Sequence, residues 1–266
     1  MPSSRQATSN VSRVAAGDSV PVTLSVLQRR PGPPLEVLRF VSPAGEAIPV
    51  QETLPANRPL TKEFTCAVAA KQAFDQPYWL ANPHAALFQP SGGPHGIEPI
   101  SPTASVFRCI LRLADGLEIS VGRPLMQTRV DRVAGEVTRA VVVTPVASIE
   151  VENPVELVTG DFIRVSADLV ALKDDLSGAW KITPPPGWSI NEPPPPVEHL
   201  HLGEHKTLDV HLQHSPEALD GPLHFAFSCS QGSSDRTMHV IEHPHILPQT
   251  WYSPADVRLV RLQMAA

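Results

Sequence analysis

The chain has 266 residues, enough for one large or two ordinary domains, and its hydrophobic fraction of 42 % is sufficient for a core. Thirty prolines leave little room for long helices, and a formal charge of −6 without a basic cluster excludes nucleic acid and anionic membranes as expected partners. No apolar run is long enough for a membrane span and no secretory signal is visible, so the compartment is undetermined, cytoplasmic by default unless the N-terminus is truncated. Composition predicts a soluble, β-rich protein.

The first half of the chain shows period-two alternation after an irregular start. Residues 1–18 have no periodicity and are predicted to be a flexible N-terminal segment. The next strand presents one apolar face, formed by Val20, Val22, Leu24 and Val26. Residues 52–105 hold many prolines and are predicted to be a long loop with short strands, one near Glu63–Val68.

Strands resume after this proline-rich insertion. A second apolar face comprises Phe107, Cys109, Leu111 and Leu113. The Asp115-Gly116 pair that follows is a strong hairpin signal. Thr144-Pro145 then has the character of a short joint between two units. Because the same alternation starts again beyond it, we expect a second domain there.

Five further runs make up this second half. Their apolar positions are Ile149 and Val151; Ile163, Val165, Ala167 and Leu169; Leu208, Val210 and Leu212; Leu223, Phe225, Phe227 and Cys229; and Met238–Ile241, the last predicted strand before a proline-rich tail. Turn residues separate such runs at the spacing typical of sandwiches. The sequence therefore predicts an all-β protein of two tandem Ig-like or fibronectin-like antiparallel β-sandwiches, at residues 19–143 (with the insertion) and 144–266.

The three cysteines are Cys66, Cys109 and Cys229, far apart and odd in number. They form no C-x-x-C pair and cannot all be bridged internally. Buried thiols are the commoner outcome, although one disulfide stays open.

Histidines supply the most conspicuous motif. His201-Leu202-Gly203-Glu204-His205 satisfies the H-x-x-E-H pattern of one group of zinc proteases. That chemistry needs a helix, so that residues four apart grip one ion, whereas Gly203 and alternating flanks favour strand, turn, strand, with a polar hairpin tip. A metal site remains the alternative, with the candidate ligands His199, His201, His205, His243 and His245.

Two adjacent aromatic pairs are the candidate ligand-binding residues: Tyr78 with Trp79, and Trp251 with Tyr252. An exposed pair stacks on sugar rings or anchors a partner protein, whereas a buried pair plugs the end of a sandwich. Catalytic and phosphate-binding signatures are missing: the sequence has no G-x-S-x-G, no S-x-x-K and no Gly-rich phosphate loop.

Several segments, in order, resemble the C-terminal accessory region of bacterial PIG-L (LmbE-like) deacetylases. They are Gln76-Pro77-Tyr78-Trp79-Leu80, Arg129-Val130-Asp131 with Gly135-Glu136, Val143-Thr144-Pro145-Val146, Pro186-Gly187-Trp188, Leu202-Gly203-Glu204, and the run from Ile241 to Pro248. Enzymes of that family hold zinc through a His-Pro-Asp-Asp motif, which this sequence lacks. The resemblance therefore implies the accessory β-sandwiches without the deacetylase site.

Three hypotheses follow. The first is a non-catalytic accessory protein of a PIG-L-like de-N-acetylase, without a cofactor, which binds a glycan or packs on a catalytic domain. The second is a zinc-dependent hydrolase of N-acetylated sugars that uses histidines of residues 199–245. The third is a purely structural spacer or assembly module.

Overall fold

The computed structural model describes residues 3–29, 32–80, 105–133, 135–243 and 245–262. Within these ranges the chain is almost entirely β-strand, and the one helical piece there is the 3₁₀-helix Tyr78–Leu80. No helix in the described part is both long and apolar enough to traverse a bilayer. Two compact units divide the chain: unit 1 is Met1–Thr144 with Glu242–Gln249, and unit 2 is Pro145–Ile241 with Thr250–Ala266. The division lies one residue from the expected boundary, but residues 242–249 group with the first unit rather than the second.

Unit 1 contains two layers of sheet. Its strands are β1 (Ser3–Ser9), β2 (Arg13–Ala15), β3 (Ser19–Gln28), β4 (Glu36–Val41), β5 (Ala47–Thr53), β6 (Leu60–Ala67), β7 (Val106–Arg112), β8 (Glu118–Pro124), β9 (Met126–Asp131), β10 (Gly135–Ala140) and β11 (Val142–Thr144). One sheet has the order β10-β9-β1-β3-β6 and the other β5-β4-β7-β8, while β2 pairs with β11. The predicted alternation of β3 is confirmed, because Val20, Val22, Leu24 and Val26 are all buried in this core.

The N-terminal residues are not a flexible segment, and that prediction is wrong. β1 lies inside the five-stranded sheet, antiparallel to β3 and parallel to β9. Its sequence is polar, and Ala7 is buried at 2 % exposure. Backbone pairing on both edges forms this strand, which hydrophobic periodicity cannot reveal.

The proline-rich insertion is only partly described. The strand predicted near Glu63–Val68 is β6, shifted toward its N-terminal side, and residues 81–104 lie outside the described residues. Before that point Asp75 ties the chain to β11. Its buried carboxylate accepts the Val143 N–H at 2.7 Å, and its own N–H donates to the Val143 carbonyl at 3.1 Å.

The strands after residue 144 form a second sandwich and a two-stranded sheet, whose residues 242–249 group with unit 1. They are β12 (Ala147–Val151), β13 (Val155–Val158), β14 (Phe162–Ala171), β15 (Leu176–Thr183), β16 (Trp188–Ile190), β17 (Val197–Leu200), β18 (His205–His214), β19 (Gly221–Cys229), β20 (Gly232–Ser234), β21 (Arg236–His243), β22 (Ile246–Pro254) and β23 (Asp256–Arg261). One sheet has the order β12-β14-β18-β16; the other has β13-β23-β19-β15-β17, with β20 on β19, and β21 pairs with β22. Facing sheets of short strands make an Ig-like β-sandwich, so the predicted all-β fold class is confirmed. Parallel pairs at β1/β9, β2/β11 and β13/β23 depart from the expected purely antiparallel pattern.

The segment after Ile241 is not a proline-rich tail. It contributes β22 and β23, and β23 pairs with β19 and β13. Val257 and Leu259 on β23 are fully buried. Prolines at the ends of these strands gave the appearance of a loop.

A glycine turn positions β16 at the edge of the first sheet of unit 2. Gly187 has φ +82°, and a Cβ there would lie 2.5 Å from the Ala218 Cα, so only glycine fits. The next residue, Trp188, is buried and donates its indole N–H to the Leu219 carbonyl at 2.9 Å. β16 is thereby fixed beside β18 as the edge strand of this sheet.

Candidate functional site

The outer face of the β14/β18 pair carries a regular set of outward side chains. On β14 the inward residues are Val165, Ala167 and Leu169, all buried, so the even-numbered positions face outward. On β18 the inward residues are Leu208, Val210 and Leu212, and the odd-numbered positions face outward. The predicted apolar faces of both strands are thus confirmed.

Strand register brings these outward residues into rows. The rows are Phe162 with Gln213, Arg164 with His211, Ser166 with Asp209, and Asp168 with Thr207. Residues directly opposite on neighbouring strands have Cβ atoms about 5 Å apart, so each row is a contact pair. The sheet therefore holds polar side chains in fixed positions along one face.

Hydrogen bonds order two of these rows. The Ser166 hydroxyl donates to the Asp209 carboxylate at 2.6 Å. In the next row the Thr207 hydroxyl donates to the Asp168 carboxylate. Arg164 approaches Asp209 with its Nε 3.9 Å from the carboxylate oxygen, an exposed and weak ion pair. Both carboxylates are thus held in place while each keeps acceptor capacity toward solvent.

An open groove of about 450 Å³ lies at the Phe162 end of this face. Its lining residues are Phe162, Ile163, Arg164, Asn191, Glu192 and His211. The groove is open to solvent, as is a second one of about 580 Å³ lined by Ala218, Leu219, Asp220 and Arg261. By contrast, two spaces in unit 1, one beside Cys66 and one beside Cys109, hold about 20 Å³ each, close to a single water molecule.

Phe162 gives the groove its aromatic wall. It is 67 % exposed and is the one aromatic residue among the exposed large hydrophobic residues in the described ranges. Asn191 joins the Arg164–His211 row, because its N–H donates to the His211 carbonyl at 3.0 Å. An apolar ring flanked by guanidinium, amide and imidazole groups can stack on one face of a ligand and hydrogen-bond its edge.

The His201–Glu204 segment is a turn, as the alternation predicts, but it is not a hairpin tip. β17 belongs to one sheet and β18 to the other, so the segment crosses between the sheets. Gly203 has φ +84° and donates its N–H to the Ala171 carbonyl at 2.9 Å, while the Glu204 carboxylate accepts the His201 N–H at 2.8 Å. Glu204 therefore caps the turn of its own motif.

The candidate metal ligands of this turn do not converge. His199 pairs with Asp175 at 2.8 Å, and His201 pairs with Asp174 at 3.1 Å. His205 lies on β18 opposite Val170. Throughout the described ranges, no group of three or more His, Cys, Asp or Glu side chains is placed to hold a metal ion.

Asp174 and His201 shift each other's protonation equilibria at the surface. Hydrogen bonding to the Leu202 N–H, then to His201, lowers the pKa of Asp174. The hydrogen bond to Asp174, followed by its charge, raises the pKa of His201. Both groups are fully exposed, which is the arrangement of a surface ion pair.

His243 and His245 lie far along the chain at the β21–β22 connection. Their rings are 5.3 Å apart, and the His245 N–H donates to the His243 Nδ1 at 3.4 Å. Both residues are exposed. The contact is a local hydrogen bond within the connection between β21 and β22.

The first aromatic pair lies in the 3₁₀-helix. The Tyr78 side chain is outside what the structure describes, whereas Trp79 is half-buried. The Leu80 N–H donates to the Pro77 carbonyl at 3.0 Å and closes the turn. This pair therefore stays a prediction.

The second aromatic pair is divided between the two faces of β22. Tyr252 is buried at 6 % exposure, so it cannot join an exposed platform. Trp251 is half-buried and stacks on His239 with ring centroids 4.1 Å apart and planes 17° apart. The His239 Nε2 is 2.8 Å from the Ser253 hydroxyl, and burial lowers the pKa of His239. The arrangement resembles the structural plug rather than a sugar-stacking surface.

Four lining residues of the groove were not predicted from the sequence as site residues: Phe162, Arg164, Asn191 and Glu192. One signal was present: if Ile163, Val165, Ala167 and Leu169 face inward, Phe162 is out of phase and must face solvent. On β18 the alternation of Leu208, Val210 and Leu212 places His211 on the polar face in the same way. The pairing of Arg164 with His211, 47 positions apart, needs the three-dimensional register.

No protein-family model matches the chain, and no curated protein matches it. Among solved structures, it is similar to a Dpr2 Ig1-Ig2 and DIP-Theta Ig1-Ig3 complex (12 % identity, 96 % of this chain and 62 % of that one, TM-score 0.26). It is also similar to native E. coli alpha-2-macroglobulin (13 % identity, 97 % of this chain and 17 % of that one, TM-score 0.32). A third similar structure is a protein of unknown function from Porphyromonas gingivalis W83 (9 % identity, 97 % of this chain and 99 % of that one, TM-score 0.22). The chain spans less than two thirds of the length of the matched chains in the Dpr2 complex and in alpha-2-macroglobulin.

At TM-scores this low these similarities carry no argument about function. The class of this protein is defined by its own strands. It is an all-β protein with β-sandwich architecture and an Ig-like second unit.

Proposed function

We propose that this protein is a non-catalytic binding protein whose second sandwich holds a glycan on the outer face of β14 and β18. The observation that carries the proposal is the 450 Å³ groove with the exposed Phe162 as its wall and Arg164, Asn191 and His211 beside it. Single exposed apolar residues are common on protein surfaces. An aromatic ring beside several planar hydrogen-bonding groups on a rigid sheet is the less common combination, and it suits a sugar ring.

The chemistry of a sugar matches these side chains. One face of a pyranose ring carries C–H groups that pack on an aromatic ring, and its edge carries hydroxyls that donate and accept hydrogen bonds. Arg164 offers only donors, Glu192 when ionised only acceptors, and Asn191 both. The groove thus presents every partner that a sugar edge requires.

The test is glycan-array binding by the intact chain and by two alanine variants. Phe162→Ala should abolish retention while leaving the thermal midpoint unchanged, because the ring is 67 % exposed. Leu202→Ala, which removes a 65 % exposed side chain in the crossing turn, is the matched control and should retain binding. Flat binding across the array would reject the proposal and favour the spacer hypothesis.

An accessory role beside a PIG-L-like deacetylase is a further proposal, supported by the ordered sequence segments alone. It predicts that the chain retains such a catalytic domain in a pull-down, and loss of Phe162 should not affect that contact. A partner bound only through the Phe162 groove would overturn this division of roles. The zinc-hydrolase alternative has no converging ligand set in the described residues to favour it.

A further inference from the structure

We infer that the ligand is a linear, uncharged oligosaccharide that lies along β14 from Phe162 to Asp168. This inference rests on the proposed function and concerns the same face. Three features carry it: the length of the outward rows, the ordered carboxylates within them, and the sign of the charges around them.

The rows extend well beyond the groove. From Phe162 to Asp168 there are six residue steps, which span about 20 Å at the rise of an antiparallel strand. Each alternate position on β14 faces outward and has a partner on β18. A single sugar would touch one or two rows, whereas an extended chain would contact all four.

The third and fourth rows present ordered acceptors. Asp209 is held by the Ser166 hydroxyl at 2.6 Å, and Asp168 is held by the Thr207 hydroxyl. An ionised carboxylate has about four lone-pair positions, so one hydroxyl donor leaves it capacity for ligand hydroxyls. Because the side chains are already ordered, binding costs them little conformational entropy.

The charges beside the rows disfavour an acidic chain. Glu150 lies directly opposite Asp168 on β12, and Glu192 lines the groove at the other end. The cation within the rows is Arg164, which already lies 3.9 Å from Asp209. A sulfated or uronic-acid chain would meet Glu192 at one end and Asp209, Asp168 and Glu150 toward the other, with Arg164 between them. An excess of like charges of this kind selects against wrong partners. Uncharged hydroxyls meet no such repulsion.

The experiment measures Kd on an array where each linear backbone is present from one to six sugars, in uncharged and in sulfated or uronic forms. Uncharged chains should gain at least about tenfold in affinity between one and four sugars, and acidic forms should bind at least about tenfold more weakly. Asp209→Asn should weaken long chains severalfold and leave single sugars unaffected. Glu198→Gln on β17, in the other sheet, is the control and should change nothing.

The outcomes separate the two proposals. Preference for acidic chains, or affinity independent of length, would overturn this inference and leave glycan binding standing. A chain-length dependence that is undiminished in Asp209→Asn would also contradict it. Failure of every glycan to bind would instead reject the proposed function itself.

Discussion

The crossing turn at residues 199–205 and the outer face of β14 and β18 differ in how well the sequence predicts which functional side chains lie together. The turn has three histidines and a formal zinc motif, but His199 and His201 each pair with a separate aspartate. The outer face has no motif, yet its register sets an exposed ring and several polar groups side by side. Local density of reactive residue types is therefore a poor guide to a site when β-pairing decides which side chains meet.

The two regions also differ in how their side chains are supported. On the outer face each polar residue alternates with a buried one, so the core beneath fixes its position. In the turn the His199 and His201 side chains are exposed, and each ring is held by one hydrogen bond, to Asp175 and Asp174 respectively. A rigid sheet is the better platform for recognition.

The largest expected effect comes from breaking the alternation beneath the outer face. Leu212→Ala removes a fully buried side chain from β18 and should cost about 2–5 kcal/mol of unfolding free energy. Its exposed neighbour Gln213→Ala should stay within about 0.5 kcal/mol. Urea unfolding measures both, and equal losses would contradict the assigned facing of β18.

Glycan affinity compares the two regions directly. The double change Arg164→Ala and His211→Ala should weaken binding about tenfold, or roughly 1.4 kcal/mol, since it removes one whole row of the groove. The double change His199→Ala and His201→Ala should leave Kd within twofold. Titration calorimetry with the best array ligand decides, and the reverse ranking would place the site at the turn.

The His239–Trp251 stack offers a smaller, pH-dependent effect on stability. Because burial lowers the pKa of folded His239 below 6.5, the unfolded chain binds a proton more readily. The contribution of His239 to the free energy of unfolding is therefore fully present above pH 6.5, and it is lost as the pH falls through the lowered pKa of the folded state. Denaturation at pH 7.5 and 5.5 should show less pH dependence in His239→Gln, and an unaltered slope would contradict this assignment.

The smallest effect concerns the exposed pair in the turn. Asp174→Asn should lower the pKa of His201 toward its ordinary 6.5, which NMR titration can follow. The pair stabilises the fold only between the lowered pKa of Asp174 and the raised pKa of His201; it is lost as pH falls through the former or rises through the latter. Stability and glycan affinity should barely change. A marked loss of affinity would give the turn a role in binding.

Much of the fold could be predicted from alternation, and the exceptions have physical reasons. Strands with one buried face, such as β3 and β14, can be predicted from apolar residues at every second position. β1 was not predicted as a strand, because it is stabilised by backbone pairing with β3 and β9 rather than by its side chains. β22 and β23 were not predicted as strands, because the prolines beside them are typical of a loop.

The candidate site was less predictable than the fold. The out-of-phase position of Phe162 was available from the sequence, but its neighbours are His211 on β18 and Asn191, which directly follows β16. Their proximity follows from the β16/β18 register and the Gly187 turn that sets it. Long-range register is not encoded in any local pattern, so a site built across three strands cannot be derived from one of them.

The most direct measurement is chemical-shift mapping by NMR during titration with an uncharged linear oligosaccharide chosen from the array. We expect the shifts to concentrate at Phe162, Arg164, Asn191 and His211 and to extend to Asp168 as the chain lengthens. Shifts confined to residues 199–205, or to unit 1, would contradict a binding face on β14 and β18.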